Sequence, residues 1–432
     1  MEKQENNLME KIISLCKRRG FIYPGSEVYG GLAGTYDYGP LGVALKNNIK
    51  NLWWKKFVDS REDMYGIDAA ILMNSAVWRA SGHVDTFTDP LVECTKCKKR
   101  FREDTLKEKG ICDDCGNATG EPRQFNMMFQ TQIGAVADSS ATVYLRPETA
   151  QGMFVNFKNI VDSFHPKLPF GTAQIGKAFR NEITPRDFIF RVREFEQMEI
   201  EYFIKPEDWE KYFEYFRGEM LNWIEIVGID MAKVHELEVE KEDLAHYSKC
   251  TIDFEFDFPF GRKELYSLAY RTDFDLSNHN LSYQDEETNT KIIPHTVEPT
   301  FGLDRTVLAL LSSSYKEDLS GEEARPYLAF KPSMAPVICA VSPLLKNKPE
   351  LREYAHLIYR TLKYEFGRVM WDDNGNIGKR YRRQDEIGTP WCIVVDFDTL
   401  TDDSVTIRDR DTGKQERVKK ENIVEYIKER IN

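Results

Sequence analysis

Two neighbouring segments restrict the fold more than any other part of the chain. Ala173 to Glu182 places Gln174, Gly176, Ala178, Arg180 and Glu182 on one face at the two-residue strand period. After a loop with Pro185 and Arg186, Arg191 to Phe203 places Arg191, Arg193, Phe195, Gln197, Glu199 and Glu201 on one face, with Met198, Ile200 and Tyr202 on the other. A face so rich in Arg, Glu and Gln cannot be core, because burying unpaired charge is costly. The pair therefore belongs to a sheet with one apolar face on a core. Its other face is a solvated surface or the floor of a polar site. Arginines flanking a single ring favour the floor: guanidinium forks hold phosphates, and a ring face holds a base.

The rest of the chain narrows the chemistry. No Gly-x-x-x-x-Gly-Lys-Ser/Thr loop and no Gly-x-Gly-x-x-Gly turn after a strand is present, which argues against P-loop enzymes and dinucleotide-binding dehydrogenases. The seven histidines show no catalytic-metal spacing. Cys94-x-x-Cys97 and Cys112-x-x-Cys115 read as two knuckles able to set four thiolates around one structural zinc ion; four unrelated free thiols are the alternative. The linking segment is basic and polar and has too little apolar content to fold without a staple. Apolar runs such as Val337–Val341 fall far short of the ~18 residues that span a bilayer, and Met1 to Leu8 is polar and acidic. No membrane partner and a cytoplasmic location are expected.

At 432 residues the chain has room for two or three domains. Residues 1–334 form the expected catalytic body, with the zinc-binding insertion at 91–120 and a mainly helical segment at 205–250. Residues 335–432 form a separate α/β domain with a β–α–β–α–β order. Helices are predicted over Asn7–Arg19, Val43–Val58, Trp209–Val227, Glu350–Phe366 (Leu351, Tyr354, Leu357, Ile358 and Leu362 inward) and Ile423–Ile431. Gly30 to Gly42 reads as a turn region, and Tyr65 to Leu72 as a short buried strand. Further strands are predicted at Val337–Val341, Arg368–Trp371, Cys392–Phe397 and Ser404–Arg408. The net charge of −12 is uneven: residues from Ala335 onward hold 18 basic against 17 acidic side chains, so the deficit lies in the body. The densest basic cluster is Lys379-Arg380-Tyr381-Arg382-Arg383. It reads as a solvated face or as a contact to phosphates, with Tyr381 able to stack on a base.

Several strings then carry a resemblance. Phe179-Arg180-Asn181-Glu182 with Arg191-x-x-x-Phe195-x-x-x-Glu199 resembles motif 2 of the class II aminoacyl-tRNA synthetases, Gly302-Leu303-Asp304-Arg305 resembles motif 3, and Val43 to Leu72 resembles motif 1. Tyr29-Gly30-Gly31, Asp37 to Gly42, Ser81-Gly82-His83-Val84-Asp85, Leu145 to Gly152, Arg271 to Leu276 and Gly378 to Pro390 are similar to the homodimeric glycyl-tRNA synthetase family, almost end to end. The resemblance implies an α+β class II fold, an antiparallel sheet flanked by helices, followed by an α/β anticodon-binding domain. It implies a homodimer that activates glycine with ATP and magnesium and transfers it to tRNA.

The same resemblance implies residue roles. Arg180 bridges the glycine carboxylate and the ATP α-phosphate. Phe195 stacks on adenine against the Arg305 guanidinium. Arg191 and Arg305 hold the γ-phosphate end, Glu182 meets the adenine amino group, and Asn181, Leu265 and Gly302 complete the ATP site. Glu264, with Ser267 three residues on, binds magnesium. Glu148 and Glu298 surround the glycine ammonium, with Gln197, Arg271 and Thr300 lining the pocket; an ion pair of Glu148 with Arg146 is the structural alternative. Lys379, Arg380, Arg382 and Arg383 contact tRNA. Two departures stand out: Thr300 replaces the more usual Ser, and the motif 1 strand lacks the proline common across class II. The competing readings are a sister class II synthetase and a synthetase-like accessory subunit without catalysis.

Overall fold

The computed structural model describes residues 2–135, 141–286, 288–319 and 324–431, with side chains from Leu8 onward. Helix α1 (Glu2–Arg19) buries Ile12, Leu15 and Cys16 and stops where Gly20 turns to φ +79°. The expected turn region holds more structure than its glycines indicate. Tyr36–Tyr38 pairs with Ile22–Pro24 as a small ribbon, and helix α2 (Pro40–Trp54) already begins at Pro40. Proline suits that first turn because its missing N–H has no partner there anyway. Gly42 is obligatory: a Cβ would lie 2.0 Å from the Phe21 carbonyl oxygen. Helix α2 buries Leu45, Ile49 and Trp53, the last edge-on to Phe301 with ring centroids 5.9 Å apart.

The body is organised around a seven-stranded sheet. Its strands are β1 (Met64–Gly66), β5 (Phe170–Phe179), β6 (Glu194–Ile204), β7 (Val234–Glu238), β8 (Cys250–Phe258), β9 (Gly261–Thr272) and β10 (His295–Gly302), in spatial order β7-β8-β9-β10-β6-β5-β1. All neighbours are antiparallel except β1 and β5. The β6 face that the period of two assigns to core is core: Met198, Ile200 and Tyr202 pack under α4 (Trp209–Val227) and α6 (Leu303–Ser314). The opposite face is the polar floor. Three expectations need correction. Of the expected 65–72 strand only Tyr65 and Gly66 lie in β1, Leu72 makes an isolated bridge to Leu145, and Ile71 and Leu72 are exposed. The segment 205–250 is helical over α4 and the single turns Pro206–Asp208 and Met231–Lys233, and it also contains the strand Val234–Glu238. Arg180 and Glu182 lie past the end of β5, and Arg191 and Arg193 lie before β6, so the arginines sit on the connecting loop.

Between β1 and β5 come a small three-stranded sheet and a short helix. The sheet comprises β2 (Thr88–Glu93), β3 (Arg100–Arg102) and β4 (Arg123–Asn126), in order β3-β2-β4, and carries the cysteine knuckles. The helix is α3 (Ala150–Val155). A second helix, α5 (Phe274–Asn278), follows β9.

The C-terminal unit has its own core. Strands β11 (Cys339–Pro343), β12 (Val369–Trp371), β13 (Trp391–Val395), β14 (Ser404–Asp409) and β15 (Gln415–Lys419) are ordered β12-β11-β13-β14-β15, with β12, β11 and β13 parallel. Helices α7 (Pro349–Phe366), α8 (Ile377–Glu386) and α9 (Ile423–Lys428) accompany the sheet. Leu351, Ile358 and Leu362 of α7 point inward as expected, whereas Leu357 is 42% exposed. Ala335 and Val337 pack in the core of the body. Helix α8 was not expected, because its sequence is almost wholly polar; it turns the basic cluster into a helix face.

Candidate active site

The floor is built in rows across the sheet. Asp253 (β8), Ser267 (β9), Thr300 (β10), Glu199 (β6) and Gln174 (β5) are successive cross-strand partners. One row along, Gln197 stands between Gly176 and Gly302, and Phe195 faces Ala178. Small residues here keep the floor low: a Cβ on Gly176 would fall 2.2 Å from Arg146 Nη2. A register shift in β9 sets Glu264 opposite Glu255 but Tyr266 opposite Phe254. This bulge brings Glu264, Leu265 and Ser267 to one chamber although a regular strand would send 264 and 267 to opposite faces. The chamber, about 450 Å³, falls within the ordinary range for ligand sites.

At one end lie the cations. Arg180 donates Nε to the Pro147 carbonyl at 3.1 Å, and its guanidinium lies 5.3 Å from the Phe195 ring and 5.4 Å from Phe87. Arg305 donates to Glu264 at 2.9 Å, and its guanidinium rests 4.5 Å from the Phe190 ring. The Phe195 ring thus faces Arg180, and the Arg305 guanidinium faces Phe190. Arg191 stands 3.9 Å from Glu182, whose carboxyl burial raises despite Arg191 and Arg180. Asn181 is fixed through its backbone N–H on the Met127 carbonyl. Arg305 beside Glu264 holds that carboxyl low. Ser267 does not face an ion site alone: it donates to Asp253 at 2.8 Å, and burial together with Glu264 pushes Asp253 up to about 6. Asp253 and Glu264 thus set two carboxyl groups on one wall of the chamber, oxygen donors of the type a hard divalent cation takes. Asp253 had been indistinguishable in sequence from Glu255 and Asp257 on an alternating strand.

At the other end carboxylates converge. Glu148 does not pair with Arg146, which donates instead to the carbonyls of Ala69 and Lys177. Glu148 meets His83 at 3.2 Å and Gln151 at 3.2 Å; burial works to raise its pKa, but His83 brings it well below the carboxylate range. Glu199 accepts from Thr149 and, at 3.0 Å, from Thr300, and Gln197 Nε2 lies 3.4 Å away. Arg271, wholly buried, donates Nη1 to Glu298 at 2.8 Å and Nε and Nη2 to Asp275 at 2.7 and 2.9 Å. Burial raises Glu298 to about 8 even so. Gln197 Oε1 is buried without a partner. The sequence reading put Glu199 on this face without assigning it to the pocket, and it missed Asp275, Gln151 and His83. His83 had been visible only inside the Ser81–Asp85 string, and Asp275 only as a charge after Arg271.

Away from the chamber, Cys94, Cys97, Cys112 and Cys115 bring their sulfurs within 4.8 Å of one another, with pairs at 3.5 and 3.6 Å. Tetrahedral thiolates at the usual Zn–S length stand about 3.8 Å apart, so the donor set fits zinc. The basic cluster needs correction. Arg380 is 3% exposed and donates to the Gly375 and Pro343 carbonyls, Arg383 is bound to Asp372, and Arg382 donates to the Ala324 carbonyl. Tyr381 lies under the Arg408 guanidinium at 4.7 Å. Of the four proposed contacts Lys379 and Arg382 are exposed, Arg383 is half-buried and Arg380 is buried.

Comparison with known proteins agrees with this architecture. Residues 129–314 match the model of the tRNA synthetase class II core domain (G, H, P, S and T), and residues 338–430 match that of the anticodon binding domain. The chain is 48% identical to the glycine–tRNA ligase of Caldanaerobacter subterraneus subsp. tengcongensis and 49% identical to that of Clostridium kluyveri, over 98% of both partners in each case. It is 48% identical to that of Clostridium acetobutylicum over 99% of this chain and all of the relative. A floor of arginines and one ring, a carboxylate chamber beside it and this likeness along the whole length lead to one assignment: the chain belongs to the glycine–tRNA ligases, class II aminoacyl-tRNA synthetases that join glycine to tRNA.

Proposed function

We propose that the two ends of the chamber divide the substrates between them, ATP over Phe195 and the arginines, glycine against the carboxylates. The observation that carries this is the single row Asp253–Ser267–Thr300–Glu199, which runs from the acidic pair to the ammonium end without a break. Arg180, between the two ends, orients the glycine carboxylate on the α-phosphate. The carboxylate is already ionised, so attack needs no side-chain base. One carboxylate oxygen forms a bond to the α-phosphorus, the bond to the β-phosphate oxygen breaks, and pyrophosphate leaves. A terminal ribose hydroxyl of tRNA then takes the glycyl group and AMP departs. The protein's contribution is positioning and charge stabilisation by Arg180, Arg191 and Arg305. Glu264 and Asp253 would hold magnesium, which when bound neutralises phosphate charge.

Selectivity follows from size. A pocket separates substrates differing by a methylene only ~10–200-fold when the larger must be favoured, but glycine is the smallest amino acid, and a wall refuses every rival. Glu148, Glu199 and Glu298 supply the charge for its ammonium and Thr300 the wall. The four cysteines hold a structural zinc ion. Two copies associate through the region of β1, an edge strand of the sheet, beyond which Ile71 and Leu72 are exposed. The enzyme works in the cytoplasm.

The test is amino-acid-dependent ATP–pyrophosphate exchange with each of the twenty amino acids offered separately. Exchange with glycine alone is expected. Exchange with another amino acid would discredit the Glu148–Glu298 pocket, and none from folded protein would favour an accessory role. Arg180→Ala should abolish exchange without changing sedimentation.

A further inference from the structure

One row deeper than Glu199 the same face of β6 carries Glu201, opposite Thr172 of β5 and completely buried. The groups around it are Thr172 and Gln174 from β5, Glu199 from its own strand, Glu298 from β10, Arg271 from β9 and Asp275 from α5. The charged donor and most neutral donors of this region are engaged elsewhere, while Gln174 Nε2 and Thr172 Oγ1 have no partner among the described residues. All three Arg271 hydrogen bonds go to Asp275 and Glu298, Gln151 serves Glu148 and Asp275, and Thr149 and Thr300 serve Glu199. Each of these four carboxylates accepts at least one hydrogen bond. Neither oxygen of Glu201 has a hydrogen-bond partner among the described residues, nor has Thr172 Oγ1.

A carboxylate left buried without donors is among the costliest groups a fold can hold, whereas the same side chain as a neutral acid is itself a donor and needs no counter-charge. Charge matching makes the same distinction. With glycine seated, Glu148, Glu199, Glu298 and Asp275 already outnumber the fixed positive charges of Arg271 and the ammonium, so a fifth negative charge would deepen the imbalance.

We propose that Glu201 is the proton-bearing member of this cluster, a neutral carboxylic acid that donates toward Glu298 and so keeps Glu298 ionised and aimed for the glycine ammonium. Glu201 is thus a positioning residue that acts through Glu298, and its role rests on the assignment of Glu298 to the ammonium. Burial and the neighbouring Glu298 push its carboxyl well above the usual carboxylate range, in agreement with the geometry.

Two variants and one spectroscopic readout test this. Glu201→Met keeps the length and removes the donor; Glu201→Gln keeps an N–H donor and carries no charge. The Met variant should raise the glycine KM about tenfold with kcat and the ATP KM within about twofold of the parent, and the Gln variant should restore it. The infrared carbonyl band of a buried protonated carboxyl should be present in the parent and missing from the Gln variant. A Gln variant that itself raises the glycine KM tenfold would mean that Glu201 works as a carboxylate, and would overturn the proposal. So would a Met variant indistinguishable from the parent, or a carboxyl band unchanged in the Gln variant. Should the Met variant not fold, the Gln kinetics and the band still decide. Loss of glycine-dependent exchange in the parent would instead sink the glycine reading, and the band would continue to report on Glu201.

Discussion

Replacing Arg271 by Met tests the electrostatic account of the glycine end most directly. The guanidinium is 1% exposed and makes three charge-assisted hydrogen bonds of 2.7–2.9 Å to Asp275 and Glu298. Methionine fills most of the volume, so the loss is electrostatic rather than a cavity. Breaking a buried ion pair by removing one partner costs about 3–5 kcal/mol, because the remaining carboxylates lack compensation. Part of that cost can be avoided by protonation. Without Arg271, Glu298, which burial already raises, is raised further above the unfolded chain, where carboxyls titrate near 4. A folded-state pKa that is raised contributes stability below the unfolded value and loses it as pH climbs through the folded value. The destabilisation should therefore be greatest at pH 8, at about 3–5 kcal/mol, and smaller at pH 5. Urea unfolding followed by the fluorescence of the buried Trp53, Trp78 and Trp223 measures it at pH 8, 6.5 and 5. A loss below ~1 kcal/mol that is the same at all three pH values would refute the claim that Arg271 compensates buried charge.

Other perturbations have equally definite outcomes. Asp253, held up near 6, should lose its charge as pH falls through that value; exchange activity should fall with an acid limb near pH 6, and Asp253→Asn should abolish that limb while lowering the rate. Chelation of zinc, or Cys97→Ser, should open residues 88–126 to protease while leaving the C-terminal unit protected; uniform protection in metal-free protein would remove zinc as the staple. Arg380→Ala removes buried charged donors to Pro343 and Gly375 and should cost about 2–4 kcal/mol in the C-terminal unit, with any change in tRNA KM secondary to that loss. Normal stability with a raised tRNA KM would return Arg380 to the RNA surface. Lys379→Ala should leave stability within ~0.5 kcal/mol.

The period of two in Arg191–Phe203, the spacing of four cysteines and the motif strings are local properties of the chain. They were sufficient to place Phe195, Gln197 and Glu199 on one polar face, the cysteines around one point, and Arg180 and Arg305 in one site. Hydrophobic alternation also identified the apolar side of β6, because burial of Met198, Ile200 and Tyr202 needs nothing beyond the backbone repeat. What the sequence did not determine depends on contacts between distant segments. The bulge in β9 that turns Glu264 toward Ser267 is set by pairing with β8, and the partnership of Ser267 with Asp253 exists only once that register forms. His83, which opens the short helix His83–Thr86 beyond β1, reaches Glu148 just before α3, and Arg146 is drawn from Glu148 to two carbonyls that lie far from it in the chain. The basic cluster shows the limit most plainly. Charge density reads as a surface, yet Arg380 is buried because the ends of β11 and β12 offer carbonyls that a helix turn can reach. Periodicity assigns a side chain to a face, whereas the partner it meets there is decided by packing across the sheet.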